Sequence, residues 1–148
     1  MFRGTSEFLE NGVVENKFLK MARKPRDTDN YIHEIMDEWF FSNFGIKARS
    51  QTIFCSLSKE LACKYIAASG GLYHITIPCQ EKYSIIFSEL VVDLYDIVYD
   101  LEYPYNKDDI IEWLSNKNYV LIDNIIDIPI DFKGELMLFV KTYHVEKV

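Results

Sequence analysis

Cysteine is scarce in this 148-residue chain. Cys55, Cys63 and Cys79 make an odd number, and no two of them form a C-x-x-C pair. A disulfide framework and a thiolate zinc site are thereby excluded, and a reducing, cytoplasmic setting is expected. Long apolar runs are missing too: none approaches the ~18 residues of a membrane span. No basic segment followed by an apolar one opens the chain, so no secretory signal is expected. Glycine (six) and proline (four) are too few for a flexible linker or a low-complexity tract, and one domain over residues 1–148 is expected. Positive charge is the minority sign, with 16 Lys and Arg against 23 Asp and Glu, a net charge of −7 and a pI near 4.9. A general grip on nucleic acid needs a basic field and is disfavoured. Also missing are G-x-G-x-x-G, G-x-x-x-x-G-K-[ST], G-x-S-x-G and H-E-x-x-H.

What is present is ample apolar material: 49% hydrophobic and 15% aromatic residues suffice for a packed core. "FRGTS" reads as a short first strand, and residues 6–26 as a loop with a short helical piece around Glu7–Glu10. "DTDNYIHEIMDEWFFSNFG" predicts a helix: Asp27, Thr28 or Asp29 can cap it, Ile32, Ile35, Met36, Trp39, Phe40 and Phe44 recur at helical spacing, and Gly45 stops it. "RSQTIFCS" predicts a strand, and Ser58 caps a helix "KELACKYIAAS". "LYHITIP" and "YSIIFSEL" are further strands, and Asn106 caps "KDDIIEWLSNKN". "DLYDIVYDLEY" is open between helix and extended chain, and "YVLIDNI" between strand and helix end. "GELMLFVKTYHVEKV" reads as one or two strands with a turn near Lys141. Strict βαβ alternation is missing. The expectation is therefore an α+β fold with strands in two packed sheets and helices outside.

A few residues are candidates for chemistry. Arg3 sits on the first strand. Ser50, Thr52, Phe54 and Ser56 would share one face of the second, because strand side chains alternate with period 2. Glu135 stands directly before the apolar run "LMLFV", where a carboxylate is costly unless solvated or paired. "KMARKPR" gathers four basic residues and is either a solvated loop or an anion-binding strip. His33, beside Glu34 on an amphipathic helix, reads as structural; His74 and His144 sit in strands without metal-site spacing.

Together, an apolar-Arg-Gly strand, a middle strand followed by "A-x-x-Y", and a late Glu leading into "LMLF…Y-x-V" resemble the ADP-ribosyltransferase superfamily in its Arg-Ser-Glu class. The segment "KPRDTDNYIHEIMDEWFFSNFGIKARSQTIFC" is similar to that of short phage and bacterial proteins with this fold. The resemblance implies two mostly antiparallel sheets, split to clamp nicotinamide adenine dinucleotide (NAD), and a cytoplasmic site of action in a bacterial host. It implies that Arg3, with Gly4 beside it, contacts the phosphate and ribose side of the dinucleotide. It implies that Glu135 bonds the nicotinamide-ribose 2′-hydroxyl and stabilises the cation formed as nicotinamide leaves. The family's aromatic-x-Ser-Thr-Ser strand is altered here to "IFCS": Ser56 or Ser50 would serve as its serine, with Thr52 nearby, and Phe54 would stack on nicotinamide as a tyrosine does in the diphtheria-toxin-like class. Arg23 and Arg26 would add phosphate or target contacts. Arginine-modifying members carry a second Glu two residues before the catalytic one; here that position is Lys133, so the acceptor stays open. A macromolecular acceptor, protein rather than nucleic acid, is implied. The alternatives are an NAD glycohydrolase, or a binding module or inhibitor with a degraded site.

Overall fold

The first long helix shows how local signals set the frame. In a computed structural model, which describes residues 1–148, α1 (Asn30–Phe44) starts where the Asp29 carboxylate accepts the Tyr31 N–H at 2.7 Å. It stops at Gly45, which takes the left-handed conformation (φ 72°) that a Cβ would disfavour. Ile32, Ile35, Met36 and Phe40 form its buried stripe. They meet Ile110, Trp113 and Leu114 of α5 (Lys107–Ser115), which Asn106 caps through the Asp109 N–H.

Eight strands form two antiparallel four-stranded sheets. The first holds β1 (Phe2–Gly4), β4 (Leu72–Thr76), β8 (Thr142–Lys147) and β2 (Gly12–Glu15), in that order. The second holds β3 (Ile53–Cys55), β7 (Leu136–Val140), β5 (Tyr83–Phe87) and β6 (Val120–Ile122). With five α-helices the architecture is α+β, as expected. Alternation sorts each strand of the second sheet between two cores. Ile85, Phe87, Leu136, Leu138 and Val140 face Tyr73, Ile75, Tyr143 and Val145 of the first sheet, while Ile86 and Met137 face the helices. The second sheet is thus covered on both faces, which is why β7 reads as the unbroken apolar run LMLFV. No helix is long and apolar enough to cross a membrane.

Three expectations are corrected. Residues read as loop or helix after Ser6 include β2, an edge strand paired with β8 in the register Val13↔His144 and Val14↔Tyr143. Four residues are too few to display a period, and the pairing is made by a partner far along the chain. "RSQTIFCS" is not one strand. Its first part is a helical turn, α2 (Ala48–Gln51), because the Asp37 carboxylate of α1 accepts the N–H groups of Arg49 (2.8 Å) and Ser50 (3.2 Å). The helix after Ser58, α3 (Lys59–Cys63), lasts only one turn, and α4 (Asp96–Asp100) occupies the segment left open. The last segment is two strands broken at Lys141, within the reading of the sequence, and there the chain passes from the second sheet to the first.

The two sheets touch edge to edge at one point. Phe2 donates its N–H to the Ser56 carbonyl at 2.7 Å and receives the Ser56 N–H at 2.9 Å. This is the one bridge between them, and residues of β1 and β3 line a cavity beside the seam.

Candidate functional site

The seam places the first strand's arginine and the last strand's acid on the same cavity. Its volume is about 690 Å³, and Arg3, Arg23, Arg49, Phe54, Ser56 and Glu135 are part of its wall. Arg3 reaches it from β1 and donates Nη1–H to the Phe54 carbonyl at 3.3 Å, while its Nε is buried without a partner. Arg23 folds back from the basic stretch: its main-chain N–H bonds the Ser50 carbonyl at 2.9 Å and its Nη2 the Thr52 carbonyl at 2.5 Å. Its guanidinium lies over two rings, Phe54 at 3.8 Å and Phe18 at 4.1 Å. Arg49, carried by α2, places its guanidinium 4.3 Å from the centre of the same Phe54 ring. Its Nη1 donates to Glu135 Oε1 at 2.8 Å.

Glu135 precedes β7 and is pinned by its N–H to the Val92 carbonyl at 2.8 Å. Its carboxyl is buried, which pushes its pKa up from the usual range; the Arg49 charge pulls the other way. Burial likewise lowers the pKa of Arg23, to about 9, with repulsion from Arg3 and Arg49 adding to the shift. Both shifts come first from burial: Arg23, Arg49 and Glu135 are crowded together with less solvent than their charge requires, with Arg3 near Arg23 and Asp93 near Glu135.

The charge of the wall is opposite to that of the molecule. Arg3, Arg23 and Arg49 lie inside, and the exposed Lys17, Lys24, Arg26 and Lys64 join them. Only Glu7, Asp27, Asp93 and Glu135 oppose them. All four acids are held already: Glu7 pairs with Lys17, Asp27 with Arg26 and Glu135 with Arg49, and Asp93 accepts the Tyr65 hydroxyl. The cavity is a positive basin on an acidic protein, the arrangement that concentrates anions.

Of the residues singled out in the sequence, Arg3, Gly4, Arg23, Arg26, Phe54, Ser56 and Glu135 are brought together on this wall, and Ser50 and Thr52 are not. Ser50 lies in α2 and is buried. Thr52 is fully buried and turns its hydroxyl back to the Ala48 carbonyl at 2.6 Å. The expected polar face from Ser50 to Ser56 therefore does not exist, because the helical turn breaks the alternation. Ser56 spends its hydroxyl internally, donating to the Lys133 carbonyl (3.2 Å) and accepting the Ser58 N–H (3.0 Å), so it ties the seam to the loop before Glu135. Gly4 lines the wall but answers a packing need: a Cβ there would stand 2.0 Å from the Ala62 carbonyl oxygen of α3. Arg26 is exposed and paired with Asp27, so Arg23 alone of the two enters the buried cluster.

Arg49 escaped the sequence reading. Its one signal was a lone charge in "ARSQTIFC", a segment otherwise free of charged side chains. His33 was read as structural; it is buried, stands 3.7 Å from Asp37 and also borders the cavity. Burial lowers its pKa, against the pull of Asp37. Compared with family profiles, curated proteins and solved structures, the chain matches none of them.

Proposed function

We propose that this protein is an NAD-dependent ADP-ribosyltransferase of the Arg-Ser-Glu kind and that the seam cavity is its dinucleotide cleft. One observation carries the reading: Arg3 on β1 and Glu135 at the head of β7 line the same cavity, with the Phe54 ring in the wall beside them. The volume lies in the range of roughly 300–1,000 Å³ usual for small-molecule sites. The guanidinium groups suit a diphosphate, which a planar fork binds with two hydrogen bonds. The Phe54 ring, over which the Arg23 and Arg49 guanidinium groups lie, would stack on the nicotinamide once one of them moves aside.

The chemistry follows from Glu135. The bond between nicotinamide nitrogen and the ribose C1′ breaks, and its electron pair leaves with nicotinamide. Positive charge develops on the ribose ring. A carboxylate accepting the 2′-hydroxyl hydrogen bond stabilises that charge, and a nucleophile of the acceptor then forms the new bond at C1′. The reading names a macromolecular acceptor, protein before nucleic acid; Lys133 stands where arginine-modifying members carry their second acid, which weakens arginine as the acceptor and leaves the acceptor residue open.

The test is nicotinamide release from NAD by the purified chain, with and without cell lysate. Glu135→Gln keeps shape and removes charge, and should lower release by about two to three orders of magnitude. Dinucleotide affinity should change far less, because the loss lies in the transition state. Full turnover by Glu135→Gln, or no release by the wild type under any condition, refutes the transferase. Release without transfer of label to lysate components would mark a glycohydrolase. A second reading, a binding module with a degraded site, is favoured by the ion pair that already occupies Glu135. It predicts dinucleotide binding without nicotinamide release.

A further inference from the structure

The guanidinium of Arg49 has two claims on it. It is the ionic partner of Glu135, and it belongs with Arg23 and Arg3 to a cluster whose positive charge exceeds its negative charge. Both of its side-chain hydrogen bonds run from Nη1, one to Glu135 and a long one (3.9 Å) to Met137 Sδ. Arg49 and Arg23 share the Phe54 ring, so their guanidinium carbons lie within about 8 Å of each other, roughly one screening length at physiological salt. Arg3 borders the same cavity with its buried Nε unpartnered. A buried donor without an acceptor is costly, and so is the mutual repulsion of Arg23 with Arg3 and Arg49. A ligand bearing two adjacent negative charges would relieve both.

We infer that Arg49 is an exchangeable cation: it pairs with Glu135 while the cavity holds water, and it turns to a diphosphate group when one enters, releasing the carboxylate. The backbone of Arg49 is already fixed by Asp37, which accepts the Arg49 and Ser50 N–H groups, so the exchange needs only side-chain torsions. The backbone of Glu135 is fixed as well, by its N–H bond to Val92 and by β7 starting at the next residue, so its carboxylate can follow only as far as its own side-chain torsions reach. Burial is the main cause of the lowered Arg23 pKa; the repulsion from Arg3 and Arg49 that adds to it is the charge excess that the incoming anion would cancel. The inference rests on the proposed function only for what bears the diphosphate; the exchange itself is a property of these residues. It has a functional corollary: Glu135 is masked until the anionic half of a ligand is seated.

The experiment is calorimetric titration of inorganic pyrophosphate into the full chain at low ionic strength. Four proteins are compared: wild type, Glu135→Gln, Arg49→Met and the double variant. If Glu135 competes with the anion for Arg49, Glu135→Gln should bind pyrophosphate about tenfold more tightly than wild type, the usual scale of coupling between neighbouring sites. Arg49→Met should bind it more weakly. In the Arg49→Met background, Glu135→Gln should gain no more than about twofold, because the shared cation is gone. An equal gain in both backgrounds would mean long-range charge alone and would overturn the exchange. So would unchanged or weaker binding by Glu135→Gln, or no binding by any of the four. Should Arg49→Met fail to fold, Arg49→Gln and its double with Glu135→Gln supply the same comparison. Exchange observed without nicotinamide release would leave the exchange standing and remove the transferase.

Discussion

Arg49→Met is the most informative perturbation of the folded state. Methionine retains most of the chain length and its contact with the apolar surroundings, so the change isolates the charge. The side chains of Arg49 and Glu135 are 11% and 7% exposed, and the pair is joined at 2.8 Å. Removing one partner of a buried pair strands the other and costs about 3–5 kcal/mol. The adjoining cavity admits water, which places the expected loss near the lower bound, about 3 kcal/mol at pH 7.5. For a chain of this size that lowers the melting midpoint by roughly 6–12 °C. The pH dependence carries a sign. The pKa of Glu135 is raised in the folded protein, so folding favours its protonated form, and stability falls as pH rises from its ordinary value near 4.5 through the raised folded value. Loss of Arg49 removes the charge that holds this rise in check and extends the window upward. Urea denaturation at pH 7.5 and pH 5 should therefore show Arg49→Met recovering part of its deficit on acidification, relative to wild type. Arg49→Met with Glu135→Leu should be far closer to wild type than Arg49→Met alone, because no charge is left stranded. Stability of Arg49→Met within about 0.5 kcal/mol of wild type at pH 7.5, the range of an ordinary surface change, would refute this reasoning, as would a deficit that grows at pH 5.

Three further outcomes are expected. Gly4→Ala should destabilise by roughly 3 kcal/mol or prevent folding, since its Cβ would stand 2.0 Å from the Ala62 carbonyl oxygen and only backbone movement relieves that; a wild-type melting curve would show that β1 and α3 can separate freely. In a thiol titration at pH 8, the exposed Cys63 and Cys79 should react at once, and Cys55, buried and with its pKa pushed up to about 11, only on unfolding; three fast thiols would contradict its burial. Arg3→Lys keeps the charge but loses the planar fork that reaches the Phe54 carbonyl, so calorimetry should show NAD affinity falling about tenfold with little change in melting midpoint; unaltered affinity would remove Arg3 from the anion site.

Much of this molecule was determined by short stretches of sequence. Asp29 and Gly45 bound α1, and Asn106 starts α5, because caps act within one turn of the groups they satisfy. The apolar runs of β5 and β7 and the minority of positive charge likewise needed no partner to be legible. Arg3 stood out as a charge on the first strand, and Glu135 as one directly before an apolar strand. What tertiary structure decided is how distant pieces meet. β2 exists through its pairing with β8, and α2 through a carboxylate on α1, which is why Ser50 and Thr52 left the face that alternation had assigned them. The meeting of Arg3 with Glu135 depends on the Phe2–Ser56 bridge between sheet edges, and the place of Arg49 on Asp37 and Glu135 at once. Caps and periods are energies of neighbouring residues and can be read in a window. The charge cluster is an energy of groups brought together by long-range pairing, and it has no value until the two sheets meet.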